Sequence, residues 1–340
     1  ADSLRVLYVH SETRQALILI AHHLVIDGVS WRILVDDLLQ GIEQAAAGKS
    51  IALALKSHSY QYWAQQIQTY PSSHQSEFEL WQNQHSDALA LPNFVAEGDD
   101  TMHSAQTIQV ALSEEQTQAL LSQAQRPYRT HIDELLLASL SVALKQWTGS
   151  NEAQVFLEGH GREPWQSQLD LSRTLGWFTA LYPVKLTSHH EIADTIIATK
   201  ERLRAVGSSI AAQNPLSADI AINGAIQNGV LNLAITYSGA CLEQSDMAEF
   251  AQRLEQALTQ VIAHCSDANT RLTPADVPLL SLSQTELDAL PIAQQTVSSI
   301  YPLSAMQQGM MFHSMVEQSA AYLNQLRLDI SRLSSWPTQF

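Results

Sequence analysis

The tightest constraint on this chain lies near its start. Ala16-Leu17-Ile18-Leu19-Ile20-Ala21 is apolar throughout and leads directly into His22-His23, then Asp27-Gly28. A strand that is apolar on both faces needs cover on both sides, so the run predicts a central strand. The β-rich segment Arg5 to Val9, set off by the polar stretch Ser11 to Gln15, predicts the other arm of a hairpin. Beyond Gly28, Ile33, Leu34, Leu38 and Ile42 recur at helical spacing. They predict a helix from about Ser30 to Ala47, with Gly48 as its stop. The two histidines therefore fall at a strand-to-helix rim, where sites in α/β proteins collect. Imidazole is also the side chain best matched to proton transfer near neutral pH.

The rest of the chain keeps the same alternation. Residues 57–87 read as interrupted helix and 88–108 as loop plus a strand. Ser113 with Gln116 makes a capping-box start for a helix to about Ala124, and Thr130 to Trp147 is a longer helix ended by Gly149. Strands follow near Val155 to Leu157 and Leu181 to Leu186, then a helix at about 191–206. Further strands lie near Asp219 to Asn223 and Leu231 to Tyr237, with a helix at about 245–264. The pattern is α/β with two sheet-containing lobes, the boundary falling near 150–175. Thr273 to Ser299 is polar and punctuated by proline, with one short capped helix at Ser283 and Glu286, and reads as a linker. Tyr301 to Leu326 is a fresh amphipathic start.

Composition excludes several classes. Among 340 residues, 34 acidic side chains face 18 basic ones, a net charge of −16. Such a balance argues against nucleic acid, which needs a cationic footprint. No apolar run approaches the roughly 20 residues that cross a bilayer, so no membrane span is expected. Cys241 and Cys265 are too few for a disulfide framework and fit a reducing cytoplasm. The chain opens on a strand-like run without an initiator Met or a targeting segment, and it ends at Trp336 to Phe340 without a finishing element. A piece of something longer is expected.

The residues alone leave the histidine pair open. Successive strand residues point to opposite faces, so only one of His22 and His23 can face a given cavity. Both could equally be hydrogen-bonded core groups. A metal set of His22, His23 and Asp27 is weak, because adjacent histidines diverge and no third ligand stands at a diagnostic spacing. No metal is expected.

The segment HHLVIDGVSW at 22–31 resembles the HHxxxDG signature of the condensation superfamily of nonribosomal peptide synthetases, and its tail Val29-Ser30-Trp31 resembles the epimerization branch. Glu158-Gly159-His160-Gly161-Arg162-Glu163 is similar to that branch's EGHGRE motif. Arg173-Thr174-Leu175-Gly176-Trp177-Phe178-Thr179-Ala180-Leu181-Tyr182-Pro183 is similar to its RTxGWFTxxYP. Asn214-Pro215, Asp219-Ile220 and Asn223 partly match a later NP…DI…FNYLG segment, with Gly224 where that pattern has Tyr. Ile300 to His313 resembles the opening motif of a downstream condensation domain.

The resemblance implies a chloramphenicol-acetyltransferase-like two-lobe fold of α+β sandwich lobes, the first lobe incomplete. It places residues 1–165 in a partial N-terminal lobe of an epimerization domain and 166–272 in the C-terminal lobe. A linker would follow at 273–299, and the start of a condensation domain at 300–340. It further implies a substrate carried as a thioester on the phosphopantetheine of a neighbouring carrier domain, with no tightly bound cofactor. The partners are that carrier domain and the downstream condensation domain in the same chain. Epimerization needs acid/base groups on both faces of Cα and a donor for the enolate charge. The resemblance assigns the two faces to His23 and Glu158. A buried Glu would suit a proton donor. His22 is assigned a supporting hydrogen bond and Asp27 an ion pair that holds the loop, its Arg partner expected in a segment before residue 1. Gly28 would allow a tight turn, Ser30 would cap the helix and Trp31 would pack. His160 would serve loop hydrogen bonding or an oxyanion, with Arg162 and Asn223 supporting. Trp177, Phe178 and Tyr182 would be core or channel wall, and Glu163 a solvated loop residue. A peptide-bond-forming acyltransferase and a non-catalytic carrier-docking module remain as alternatives.

Overall fold

The computed structural model describes residues 3–11, 13, 15–75, 77–84, 89–95, 101, 103–162, 165, 168–206, 219–308 and 311–312. Strands β1 (Leu4–His10) and β2 (Gln15–Ala21) pair antiparallel, Leu4 opposite Ala21. Helix α1 (Gly28–Ala46) follows, then three short helices, α2 (Tyr60–Ile67), α3 (Tyr70–Ser73) and α4 (Glu77–Gln82). Strand β3 (Ala105–Ala111) leads into α5 (Glu114–Ser122) and α6 (Ile132–Thr148). Strands β4 (Glu152–Gly159) and β5 (Ala180–Thr187) form a second antiparallel pair, and α7 (Ile192–Val206) comes after them. The chain continues with β6 (Ile220–Gln227), β7 (Val230–Ser238), α8 (Gln244–Asp267) and the short α9 (Gln284–Asp288).

Three strands form one sheet in the order β3-β7-β6, all antiparallel. One face of that sheet carries Val110, Leu231, Leu233 and Ile235, which join Leu120 of α5, Leu135 of α6 and Phe250, Leu254 and Leu258 of α8 in the main core. Each fully buried Leu, Ile or Phe of this kind contributes about 1.5–3 kcal/mol relative to exposure. The helix boundaries follow local chemistry. The Ser113 hydroxyl accepts the Gln116 N–H and the Gln116 side chain accepts the Ser113 N–H, the expected capping box. Gly149 ends α6 at φ 78°, a conformation that costs a residue with Cβ.

Two expectations change. The apolar strand β2 is not covered on both faces: Ile20 is 60% exposed and its partner strand shows Val6 at 57%. Among the described residues β1 and β2 pair only with each other, so hydropathy called for a layer that these elements do not supply. The polar stretch after α8, read as a linker, is fastened down. Lys200 of α7 is fully buried and donates to Asp276 at 2.7 Å and to the Tyr128 carbonyl at 2.6 Å. Arg271 pairs with Asp288, while Val277 and Leu287 are buried. The fresh start at 301–326 lies largely outside the described residues.

Candidate active site

Strand β2 stops at Ala21, and the histidines stand beyond it. The His22 N–H donates to the Ser3 carbonyl at 2.8 Å, and its Nδ1 accepts the Leu24 N–H at 3.2 Å. His22 thereby caps one turn of 3-10 helix, His23–Val25. The strand alternation expected to separate the pair does not operate, because His23 already lies in that turn. Both side chains are exposed, and the His23 ring faces Trp177 with centroids 5.7 Å apart and planes tilted by 54°.

Four residues on, Asp27 is buried and does what was expected of Ser30. Its Oδ1 accepts the Ser30 N–H at 2.7 Å, which makes Asp27 the N-cap of α1. Gly28, expected at a tight turn, is the first helical residue, and a Cβ there would meet nothing within 4 Å. The cation expected before residue 1 is Arg162. Its guanidinium donates to both Asp27 oxygens, at 2.9 and 3.0 Å, and to Ser30 Oγ at 2.8 Å. It also reaches the Leu171 and Thr174 carbonyls and lies 4.0 Å over the Phe178 ring. Burial works against the charged carboxylate. Hydrogen bonds from Ser30 and the Phe178 N–H, with the Arg162 charge, outweigh it and hold the Asp27 carboxyl below the usual range.

Ser30 has a different task from capping. Its hydroxyl donates to the Gly176 carbonyl at 2.9 Å and accepts the Gly176 N–H at 3.1 Å. With the Arg162 bond, its hydrogen and both lone pairs are in use. The Phe178 N–H donates to Asp27 Oδ2 at 3.1 Å, and the Tyr60 hydroxyl donates to the Trp177 carbonyl at 3.0 Å. The 173–178 loop is thus tied to the start of α1 and to α2. Phe178 belongs to a second apolar cluster with Trp63, Leu169 and Leu171.

Glu158 sits on β4 opposite Leu181 of β5 and is exposed. His160 Nδ1 accepts the Arg162 N–H at 3.2 Å across the turn that delivers the arginine. Tyr182, half-buried, meets Trp81 edge to face, and Trp31 is half-buried on α1. Asn223 lies on the edge strand β6, exposed. Its neighbour Gly224 shares the opposite, core-side face with Ile222, where a Cβ would come 2.9 Å from the Leu233 side chain. Glu163, Asn214 and Pro215 lie outside the described residues. No group of three His, Cys, Asp or Glu placed to hold a metal occurs among the described residues. No helix there is long and apolar enough to cross a membrane.

Residues the sequence reading passed over complete the site. Gly161 has φ 62°, and a Cβ there would stand 1.8 Å from the Phe178 carbonyl oxygen. At Gly176 a Cβ would meet the Tyr60 ring at 2.1 Å. Ser57 accepts the Arg173 N–H at 3.0 Å and is hydrogen-bonded to Thr174 at 2.9 Å. Glycines directly before Arg162 and before Trp177 were the available signal for the first two.

The histidine turn thus leads into a helix start locked by the buried Asp27–Arg162 pair, on a mixed fold of helices and antiparallel strands. The chain matches the condensation domain family over residues 4–211 and belongs to it. It is 35% identical to a mycosubtilin synthase component of Bacillus subtilis over 93% of its length, and 32% identical to a linear gramicidin synthase component of Brevibacillus parabrevis over 93%. It spans only 14% and 5% of the lengths of those relatives. Among solved structures, it is similar to the epimerization domain from the third module of tyrocidine synthetase B, with a TM-score of 0.68 and 29% identity over 78% of this chain and 73% of that one. The first condensation domain of the CDA synthetase shares the fold, with a TM-score of 0.57 and 15% identity over 78% of this chain and 68% of that one.

Proposed function

We propose that the protein epimerizes the Cα of an L-aminoacyl or peptidyl thioester tethered to the phosphopantetheine of a carrier domain. The observation that carries this reading is the Asp27–Arg162 pair. It ties the His23 turn to the strand end bearing Glu158 and His160, across 135 positions of sequence. The similarity to an epimerization domain at 29% identity supports the same branch. In this reading His23 and Glu158 are the two proton carriers. One removes the Cα proton, the charge passes to the thioester oxygen as an enolate, and the other returns a proton from the opposite face. The roles exchange when the reaction runs backward, so the product is an L/D mixture.

Asp27, Arg162, Ser30 and His22 hold the turn in this reading, and Asn223 supports the site from β6. Trp31, Trp177 and Tyr182 would line the substrate channel. At 224 a Cβ would crowd the Leu233 side chain, so this chain has little room on that face for the Tyr of the motif. The substrate arrives covalently and no tightly bound cofactor enters. Residues 1–165 and 166–272 would be the two lobes, 273–299 a packed connector and 300–340 the start of a condensation domain, the protein's partner in the same chain.

A carrier domain loaded with an α-deuterated aminoacyl thioester tests this directly. Deuterium is expected to wash out with the wild type and to be retained with His23→Ala and Glu158→Gln. Washout that persists in both variants overturns the assignment. A second reading, peptide-bond formation, draws on the condensation family match itself. Dipeptide formation between donor and acceptor carriers without Cα exchange would establish it instead. Carrier binding with neither activity would leave a docking module.

A further inference from the structure

We infer that Trp177 is a positioning residue for His23, its indole holding the imidazole in the orientation needed for proton transfer. This rests on the epimerization reading. A catalytic imidazole is ordinarily oriented by a hydrogen bond to its far nitrogen. Here the ring contact of His23 is the tilted one with Trp177, at 5.7 Å and 54°. Aromatic pairs at such separations favour defined relative orientations, so an indole can set the plane of an exposed imidazole without engaging either ring nitrogen.

The backbone around Trp177 is built to present that indole. The preceding residue has both its N–H and its carbonyl bound by Ser30 Oγ. The following residue donates its N–H to Asp27. The Trp177 carbonyl itself accepts the Tyr60 hydroxyl. Gly176 has no side chain because the Tyr60 ring fills the position a Cβ would take. Asp27 and Ser30 therefore act on His23 from two directions, along the chain through the turn and across space through the tryptophan.

The test combines spectroscopy with kinetics on histidine-labelled protein. In the wild type the ring protons of His23 are expected to be displaced by the indole ring current, and in Trp177→Leu to return toward the shifts of a freely exposed histidine. Trp177→Phe is expected to keep part of the displacement. Cα deuterium washout in Trp177→Leu is expected to lose about 10- to 100-fold in kcat, as for a misplaced catalytic group, with KM changed less than about threefold. Trp177→Phe is expected to recover most of the loss. Unmoved His23 resonances in the folded Leu variant overturn the proposal, as does a wild-type kcat or a loss confined to KM. If Trp177→Leu fails to fold, the Phe variant decides by spectroscopy: a partly reduced ring-current displacement of His23 supports the proposal and unmoved His23 resonances overturn it. Washout that survives His23→Ala is a different failure, that of the epimerization reading itself.

Discussion

Arg162→Met isolates the ion pair that ties the site together. The guanidinium is 7% exposed and Asp27 is 3% exposed, so solvent screens neither charge. Removing it deletes the bonds to Asp27, Ser30 and the Leu171 and Thr174 carbonyls, together with the contact over Phe178. Breaking a buried pair from one side costs about 3–5 kcal/mol, mostly for the charge left behind. Asp27 keeps the Ser30 and Phe178 N–H bonds, so the lower half of that range is expected. Urea unfolding followed by tryptophan fluorescence reads the loss. The double variant Asp27→Asn/Arg162→Met should lose less than the sum of the single ones, by at least about 1 kcal/mol. The pH response adds a sign. Because the folded Asp27 carboxyl lies below its ordinary value of 3.8, the native state binds fewer protons. Its contribution is therefore present above that value and is lost as pH falls through the folded pKa. Arg162→Met should flatten this acid limb. A loss below about 1 kcal/mol, or strict additivity, would refute the claim that the pair is mutually dependent.

Other consequences are as direct. Gly161→Ala should cost more than about 2 kcal/mol in a thermal melt, since its Cβ would overlap the Phe178 carbonyl at φ 62°. Gly28→Ala, in open space at a helix start, should stay within about 0.5 kcal/mol of the wild type. Asp276→Leu should destabilise by about 3 kcal/mol by stranding buried Lys200, and Lys200→Met/Asp276→Leu should restore part of that loss, both read by denaturation. The Cys265 thiol, pushed up to about 12 by burial, should resist a thiol reagent at pH 8 until the protein unfolds.

Local rules made much of this fold legible. Helix α5 is announced by Ser113 and Gln116, and α6 by its leucine spacing and Gly149, because caps and periodicity act within a few residues. The hairpin of β1 and β2 was equally plain, but its exposure was not, since hydropathy states a need for cover without saying whether cover is present. The site was legible as motifs rather than as contacts. Nothing in the sequence links Asp27 to Arg162 at a separation of 135 positions, although both residues were in view. Ser30 looked like a cap because caps are local; its real partner, Gly176, lies 146 positions away. The exposure of Glu158 near the end of β4 was not legible either, because its chemistry says nothing of its burial.

The long separations within the Asp27 network bear on the order in which the molecule forms. Helix α1 can start on the Asp27–Ser30 cap alone, a contact three residues long. The bonds that anchor the start of α1 to the rest of the site span 132 to 151 positions and need Arg162 and Phe178 already in place. Closing loops of that size is entropically costly until other contacts have drawn the ends together. Helices α5, α6 and α8 and the β3-β7-β6 sheet can condense without them. That anchoring is therefore a late acquisition in folding, and closure of the Asp27–Arg162 pair should trail the recovery of helix signal.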